Sequence, residues 1–186
     1  MCVASGCSTD GAHVEPPTAW GTQQQHDAAV TIQPCGGSGS LIGDGMILTA
    51  RHVACTDSVA TTAAGVVLPT TLAWRDGDHD LALLAVTIDS GAAFAQAAVL
   101  DSAAVMDTVC GEVALPSRQR RCGTVTDVRD VGTSSGHVDL WISINAVPGN
   151  SGSALYDDHG HLVGVITDSV YGVGLASSVY GRLPSH

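Results

Sequence analysis

Val138-Asp139-Leu140-Trp141-Ile142-Ser143-Ile144 sets apolar side chains at alternate positions, the repeat of a strand with one face buried. Outward from it, similar short runs follow at Ser153-Ala154-Leu155-Tyr156, Leu162-Val163-Gly164-Val165-Ile166-Thr167 and Val173-Gly174-Leu175-Ala176. Others precede it at Thr108-Val109-Cys110 and Gly123-Thr124-Val125-Thr126-Asp127-Val128. An earlier set runs through Val30-Thr31-Ile32, Ser40-Leu41-Ile42, Met46-Ile47-Leu48-Thr49, Val66-Val67-Leu68 and Leu81-Ala82-Leu83-Leu84-Ala85-Val86. Glycine, aspartate and serine turns separate the runs. Many short strands with frequent turns predict an all-β chain, and two such sets predict two barrels, although no sequence repeat links the halves. The alanine-rich segment from Asp89 to Met106 reads as a crossing connection or a short helix between them. The expected division is a flexible tether at 1–17, a first barrel at 18–100 and a second at 101–186.

Composition narrows the function. The chain has 186 residues, 45% hydrophobic and 13% charged, which excludes a disordered or coiled-coil protein. Its formal net charge is −11, from 18 acidic against 7 basic residues, and that sign repels phosphate backbones, so nucleic acid is not an expected partner. Six cysteines, Cys2, Cys7, Cys35, Cys55, Cys110 and Cys122, lack Cys-x-x-Cys metal spacing and are expected to form disulfides in an oxidising compartment. No apolar run approaches the roughly 20 residues that span a bilayer, so no transmembrane segment is expected. Val3-Ala4-Ser5-Gly6-Cys7-Ser8 resembles the end of a bacterial lipoprotein signal, yet the charged and apolar regions that should precede it are missing. Two readings of Cys7 stand: a lipid anchor, or a partner for Cys2. Secretion, the periplasm or the cell envelope is the expected location.

Chemistry is legible in three places. Pro148-Gly149-Asn150-Ser151-Gly152-Ser153 offers Ser151 as a hydroxyl nucleophile. The glycines on either side let backbone N–H groups converge where charge would develop on an attacked carbonyl. Gly-Asn-Ser-Gly is also ordinary turn composition. His52 ends a strand candidate in Leu48-Thr49-Ala50-Arg51-His52, and Asp80 enters the apolar run at Leu81. A carboxylate entering such a run needs a hydrogen-bond donor, and a histidine N–H is a suitable one. The chain order His52, Asp80, Ser151 is one of the three convergent orders of the hydrolytic triad.

Thr49-Ala50-Arg51-His52, Asp80-Leu81-Ala82-Leu83-Leu84 and Gly149-Asn150-Ser151-Gly152-Ser153, in that order, resemble the motifs of trypsin-like serine proteases of the chymotrypsin fold. The likeness is greater to the bacterial glutamyl-endopeptidase and high-temperature-requirement branches than to digestive enzymes. Cys35-Gly36-Gly37-Ser38-Gly39-Ser40-Leu41-Ile42 resembles the strand leading to the histidine, and Leu162 to Thr167 the strand lining the substrate cleft. Arg51 departs from the family's Thr-Ala-Ala-His. The resemblance implies two antiparallel Greek-key barrels with the site in the cleft between them. It implies His52 as general base and then acid, Asp80 as its orienter, Ser151 as nucleophile, and the N–H groups of Gly149 and Ser151 as oxyanion hole. It also implies disulfides Cys35 with Cys55 and, beside the loop from Pro116 to Arg121, Cys110 with Cys122. The expected activity is hydrolysis of protein or peptide substrates through an acyl-enzyme, by a monomer without metal or cofactor.

Asn150 stands where digestive members carry an aspartate that pairs with a new N-terminus, and no Ile-Val-Gly-Gly start is present, so no zymogen switch of that type is expected. The chain ends at His186, soon after the last strand candidate, and no following peptide-binding domain is expected. By resemblance Asn145 lies near the floor of the primary pocket, with Thr167, Asp168 and Ser169 along its side and Val173 and Gly174 opposite. An uncharged floor favours small or medium apolar side chains, whereas Asp168 would attract a basic one. An exposed loop at Arg118-Gln119-Arg120-Arg121 argues against arginine specificity, since it would be cut. Asp157-Asp158-His159-Gly160-His161 reads as a polar hairpin turn, His79 as an exposed loop residue, Ser134-Ser135-Gly136 as a turn, and Trp20, Trp74 and Trp141 as core or cleft-edge residues. The competing classes are a catalytically inactive binding module on the same fold and an esterase, which normally uses a Gly-x-Ser-x-Gly elbow; Ser153 breaks that pattern.

Overall fold

A computed structural model describes residues 22–43, 45–87, 100–133 and 136–184 of the chain. The expected tether at 1–17 with Cys2 and Cys7, Trp20, the pair Ser134 and Ser135, and most of the connection from Asp89 lie outside these residues.

Among the described residues, twelve strands follow one short helix, α1 (Thr22–Ala28). The first six are β1 (Ala29–Gln33), β2 (Gly37–Gly43), β3 (Met46–Thr49), β4 (Val59–Thr61), β5 (Val67–Arg75) and β6 (Ala82–Val86). They close into a barrel in the order β1-β2-β3-β6-β5-β4. The next six are β7 (Thr108–Val113), β8 (Gln119–Gly132), β9 (His137–Ile142), β10 (Ala154–Tyr156), β11 (Leu162–Val170) and β12 (Val173–Ser178). Traced from β7, their order is β7-β8-β9-β12-β11-β10, the same arrangement as in the first barrel, and every neighbouring pair is antiparallel. Closure removes the open edges that a flat sheet would expose.

Alternation explains the packing. In β9, Val138, Leu140 and Ile142 are buried while Asp139 and Trp141 are half-exposed. The second barrel's core gathers Val109, Val125, Leu140, Ile142, Leu155, Val163, Ile166 and Ala176. The first barrel's core does not stop at its own strands: Ala154, Tyr156, Leu162, Val165 and Val179 pack into it from the second half. The barrels therefore share a continuous apolar interface. One polar crossing is the Tyr156 hydroxyl, fully buried and 2.9 Å from the Ser40 hydroxyl; burial pushes the Tyr156 phenol well above its ordinary pKa.

Two elements were not foreseen, and a third was foreseen only at its start. Helix α1 follows no periodic pattern and is held by tertiary contact, with Gln25 buried and accepting a 2.6 Å bond from Arg120. Strand β4 spans three residues, too few for periodicity to register. Strand β5, expected at Val66-Val67-Leu68, runs on past Pro69 to Arg75 and faces solvent over most of that length, so no period marks the extension. The arginine cluster also needs correction. It is no exposed loop: β8 begins at Gln119, Arg118 donates to the carbonyls of Ala29 (2.7 Å) and Thr61 (3.3 Å), Arg120 pairs with Glu112 (2.8 Å), and Arg121 donates to the Asn145 carbonyl (2.8 Å). The cluster is therefore not an exposed-loop cleavage site and carries no information on arginine specificity.

Both expected disulfides among the described cysteines are present, Cys35–Cys55 and Cys110–Cys122, the latter joining directly opposed residues of β7 and β8. Among the described residues, no helix is long and apolar enough to cross a membrane.

Replacing Cys35 and Cys55 together by alanine opens a loop with a sequence separation of 20. The expected loss is about 3 kcal/mol of stability, read by denaturant unfolding; an unchanged midpoint contradicts it. Gly152 has φ +90°, and a Cβ there would lie 1.9 Å from the Ser38 carbonyl oxygen and 2.4 Å from Thr49 Oγ1. Gly152→Ala is expected to cost about 2 kcal/mol or more, measured the same way.

Candidate active site

The site forms where the first barrel's second hairpin meets the turn before β10. Strand β3 ends at Thr49, whose hydroxyl donates to the Ser38 carbonyl (2.7 Å), and buried Ala50 leads into the turn that presents His52. Asp80, fully buried, sits just before β6. Its Oδ1 accepts the His52 backbone N–H at 3.0 Å and its Oδ2 lies 2.5 Å from His52 Nδ1. A carboxylate cannot donate, so Nδ1 carries the proton and Nε2 is left as the imidazole's free acceptor. The side chain of His52 is 40% exposed, whereas that of Asp80 is fully buried.

Ser151 lies in the turn between Gly149 and Gly152, both at positive φ (+95° and +90°). Strand β2 holds this turn. Ser38 N–H donates to the Ser151 carbonyl (2.8 Å), and the Ser38 hydroxyl donates to the Gly149 carbonyl (2.8 Å) while accepting the Ala114 N–H (3.2 Å). Gly37 allows this approach, since a Cβ there would come within 2.9 Å of the Ser151 carbonyl oxygen. Asn150 is fully buried, and its amide is spent at both ends: Oδ1 accepts the Val147 N–H (3.1 Å) and Nδ2 donates to the Leu115 carbonyl (2.8 Å). The N–H groups of Asn150, Gly152 and Ser153 bond to the carbonyls of Val147, Ile166 and Asn150. Among the described residues, those of Gly149 and Ser151 bond to none.

One cavity of about 630 Å³ joins these parts. Arg51 and His52 line it from the first barrel; Ala146, Val147, Pro148, Ser151, Ile166, Thr167, Asp168 and Ser169 line it from the second. His52 and Ser151 thus face the same space without bonding to each other. The Ser151 hydroxyl donates instead to the Thr167 carbonyl at 3.1 Å.

The structure sorts the residues expected in the pocket. Thr167, Asp168 and Ser169 line the cavity, with Asp168 Oδ1 accepting the Ser169 N–H at 2.7 Å. Asn145 and Gly174 do not line it. Asn145 is exposed beside Arg121, and Gly174 backs onto the Ile144 carbonyl and the Ile142 side chain. The wall begins one residue later, at Ala146, a register that spacing along the sequence does not reveal. His79 also differs from its reading as exposed: its side chain is 20% exposed, 3.5 Å from Asp76, with its ring 6.2 Å from that of His137. Burial tends to raise the pKa of Asp76, but N–H bonds from His79 and Asp78 and the charge of His79 outweigh it and hold the carboxyl below the ordinary aspartate value. Asp157 to His161 forms the turn between β10 and β11, where Asp157 Oδ1 accepts the N–H groups of His159 and His161.

The family profile described as trypsin-like peptidase domain matches residues 37–165. The uncharacterized protein y4bJ of Sinorhizobium fredii is 30% identical over 157 residues, which cover 81% of this chain and 24% of that protein. Among solved structures, the HtrA-type protease AlgW with decapeptide superposes with TM-score 0.68 at 18% identity, covering 84% of this chain and 62% of that one. The Rv3671c protease in its inactive form superposes with TM-score 0.70 at 17% identity, covering 84% and 86%. The chain therefore spans about a quarter of y4bJ and under two thirds of the AlgW chain. At these identities the structural likeness is one of fold.

Asn150→Asp would set a carboxylate oxygen against the Leu115 carbonyl. Stability is expected to fall by about 2 kcal/mol, more at pH 8 than at pH 4, because protonation restores a donor. A loss equal at both pH values in thermal melts would contradict this account.

Proposed function

The chain belongs to the trypsin-like peptidase domain family, and on that premise we propose that it is a serine endopeptidase acting through Ser151, His52 and Asp80. The observation that carries this reading is a buried Asp80 carboxylate bonded to an imidazole that opens onto the same cavity as a glycine-flanked serine. In the proposed reaction the Ser151 hydroxyl turns from the Thr167 carbonyl to His52 Nε2. As its oxygen attacks the substrate carbonyl carbon, the proton passes to Nε2 and the carbonyl oxygen takes up the negative charge. The unengaged N–H groups of Gly149 and Ser151 are the donors proposed to receive that oxyanion. His52 then returns the proton to the leaving amine, and an acyl-enzyme on Ser151 remains. Water, deprotonated by the same imidazole, releases the acid and restores the serine. Throughout, Asp80 keeps the proton on Nδ1 and stabilises the imidazolium.

Ala146, Val147 and Ile166 give the cavity an apolar wall, which supports small or medium apolar side chains of a protein or peptide substrate. The disulfides support an oxidising location, secreted, periplasmic or on the cell envelope. A monomer needs nothing further to complete the set of groups named. One observation favours a second reading, a protease fold that binds without cutting: Ser151 bonds Thr167 and not His52.

A fluorophosphonate probe separates the two. Labelling of the folded chain, abolished in Ser151→Ala and slowed about 10³-fold or more in His52→Ala, is the expected outcome. Folded protein that takes up no label overturns the enzymatic reading, and a peptide-library digest of labelled-competent protein then reads the side-chain preference.

A further inference from the structure

We infer that Arg51 is a positioning residue that ties the turn carrying His52 to the loop carrying Asp80. The inference rests on the roles proposed for those two residues. It starts from the way Asp80 is held. Among the described residues, both bonds to its carboxylate come from His52, one from the backbone and one from the ring. Among the described residues, no third donor fixes the angle of the carboxylate. The Thr167 hydroxyl, for instance, is directed to the Leu175 carbonyl at 3.4 Å. Imidazole orientation therefore depends on how two backbone segments are set against each other.

The loop before β6 is braced within itself. The Asp76 carboxylate accepts the N–H groups of Asp78 (2.8 Å) and His79 (2.9 Å), and Leu81 N–H closes a turn on the His79 carbonyl (2.8 Å). The second barrel grips the outer side, where His137 N–H donates to the Asp78 carbonyl at 2.7 Å. Arg51 grips the inner side. Its N–H donates to the Asp80 carbonyl (3.1 Å), and one guanidinium nitrogen reaches the carbonyls of Gly77 (2.9 Å) and Asp76 (3.4 Å). A charged donor on neutral carbonyls makes a stronger bond than an amide would. The side chain belongs to the residue preceding His52, so any slack in the loop is transmitted to the ring through a single peptide unit. Alanine, which the family resemblance leads one to expect there, would keep the N–H bond and lose the other two.

Arg51 also lines the cavity, so a direct contact with substrate is the competing role, and steady-state kinetics distinguish them. In the full chain, Arg51→Ala is expected to lower kcat and the rate of fluorophosphonate labelling about 10- to 100-fold with KM unchanged, the scale set by small misplacement of a reacting group. The ring-nitrogen NMR shifts of His52 should move from a pure Nδ1–H tautomer toward a mixture. Arg51→Lys, which reaches one carbonyl, should recover part of both. Wild-type kcat and ring shifts in Arg51→Ala overturn the inference, as does a raised KM at unchanged kcat. If the wild-type chain neither labels nor hydrolyses, the proposed function fails and the ring shifts alone decide: a mixture in Arg51→Ala upholds the positioning role, an unchanged tautomer overturns it. If Arg51→Ala does not fold, Arg51→Gln, an uncharged donor, takes its place under the same criteria.

Discussion

Ser38 is the point through which the two barrels are set in register. Its N–H and hydroxyl bind the carbonyls of Ser151 and Gly149, its hydroxyl receives Ala114 N–H, and its carbonyl receives the Thr49 hydroxyl. Ser38, Thr49 and Ala114 are buried, where hydrogen bonds are strong and an unmade one is costly. Because β2 pairs with β3, and β3 leads to His52, the strand that fixes the serine turn also fixes the histidine turn. The close approach demands residues without side chains at 37 and 152, where a Cβ would meet backbone oxygen at 2.9 and 1.9 Å. The glycines around the serine are thus packing requirements as much as turn formers.

A second constraint is the burial of Asp80. An ionised carboxylate removed from water is tolerated only with compensating donors, and here both donors belong to one residue of a neighbouring turn. That concentrates the cost of misalignment in a single joint, which the structure stiffens from two directions. The Cys35–Cys55 bridge closes a covalent loop around β2, β3 and the histidine turn, and Arg51 binds that turn to the loop before β6. Asn150 does comparable service under the serine, with a neutral amide matched to one N–H and one carbonyl.

The strands with clean alternation or an uninterrupted apolar run were legible in the residues alone, because burying one face of a pleat leaves a period of two that nothing else imitates. What escaped were stretches whose stability comes from elsewhere: β4 is too short to carry a period, β5 beyond Leu68 is largely exposed, and α1 is held through Gln25 and Arg120. Arg118, Arg120 and Arg121 read as a charged loop for the same reason, since their partners lie in β1, β4, β7, α1 and the segment after β9.

What the order of amino acids determined was the kind of chain and its candidate reactive groups: two sets of short strands, and a histidine, an aspartate and a serine in the sequence order of a trypsin-like peptidase. These are local properties, set by side-chain period and by the chemistry each residue type can perform. Which groups actually meet was decided by tertiary structure. Barrel closure buried Asp80 against His52, set the cavity wall at Ala146 and not Asn145, and turned Gly174 to the Ile144 carbonyl. It also placed the Thr167 carbonyl where it accepts a hydrogen bond from the Ser151 hydroxyl. Such pairings join residues far apart along the chain, and their geometry follows from strand register and packing, quantities that a linear pattern does not contain.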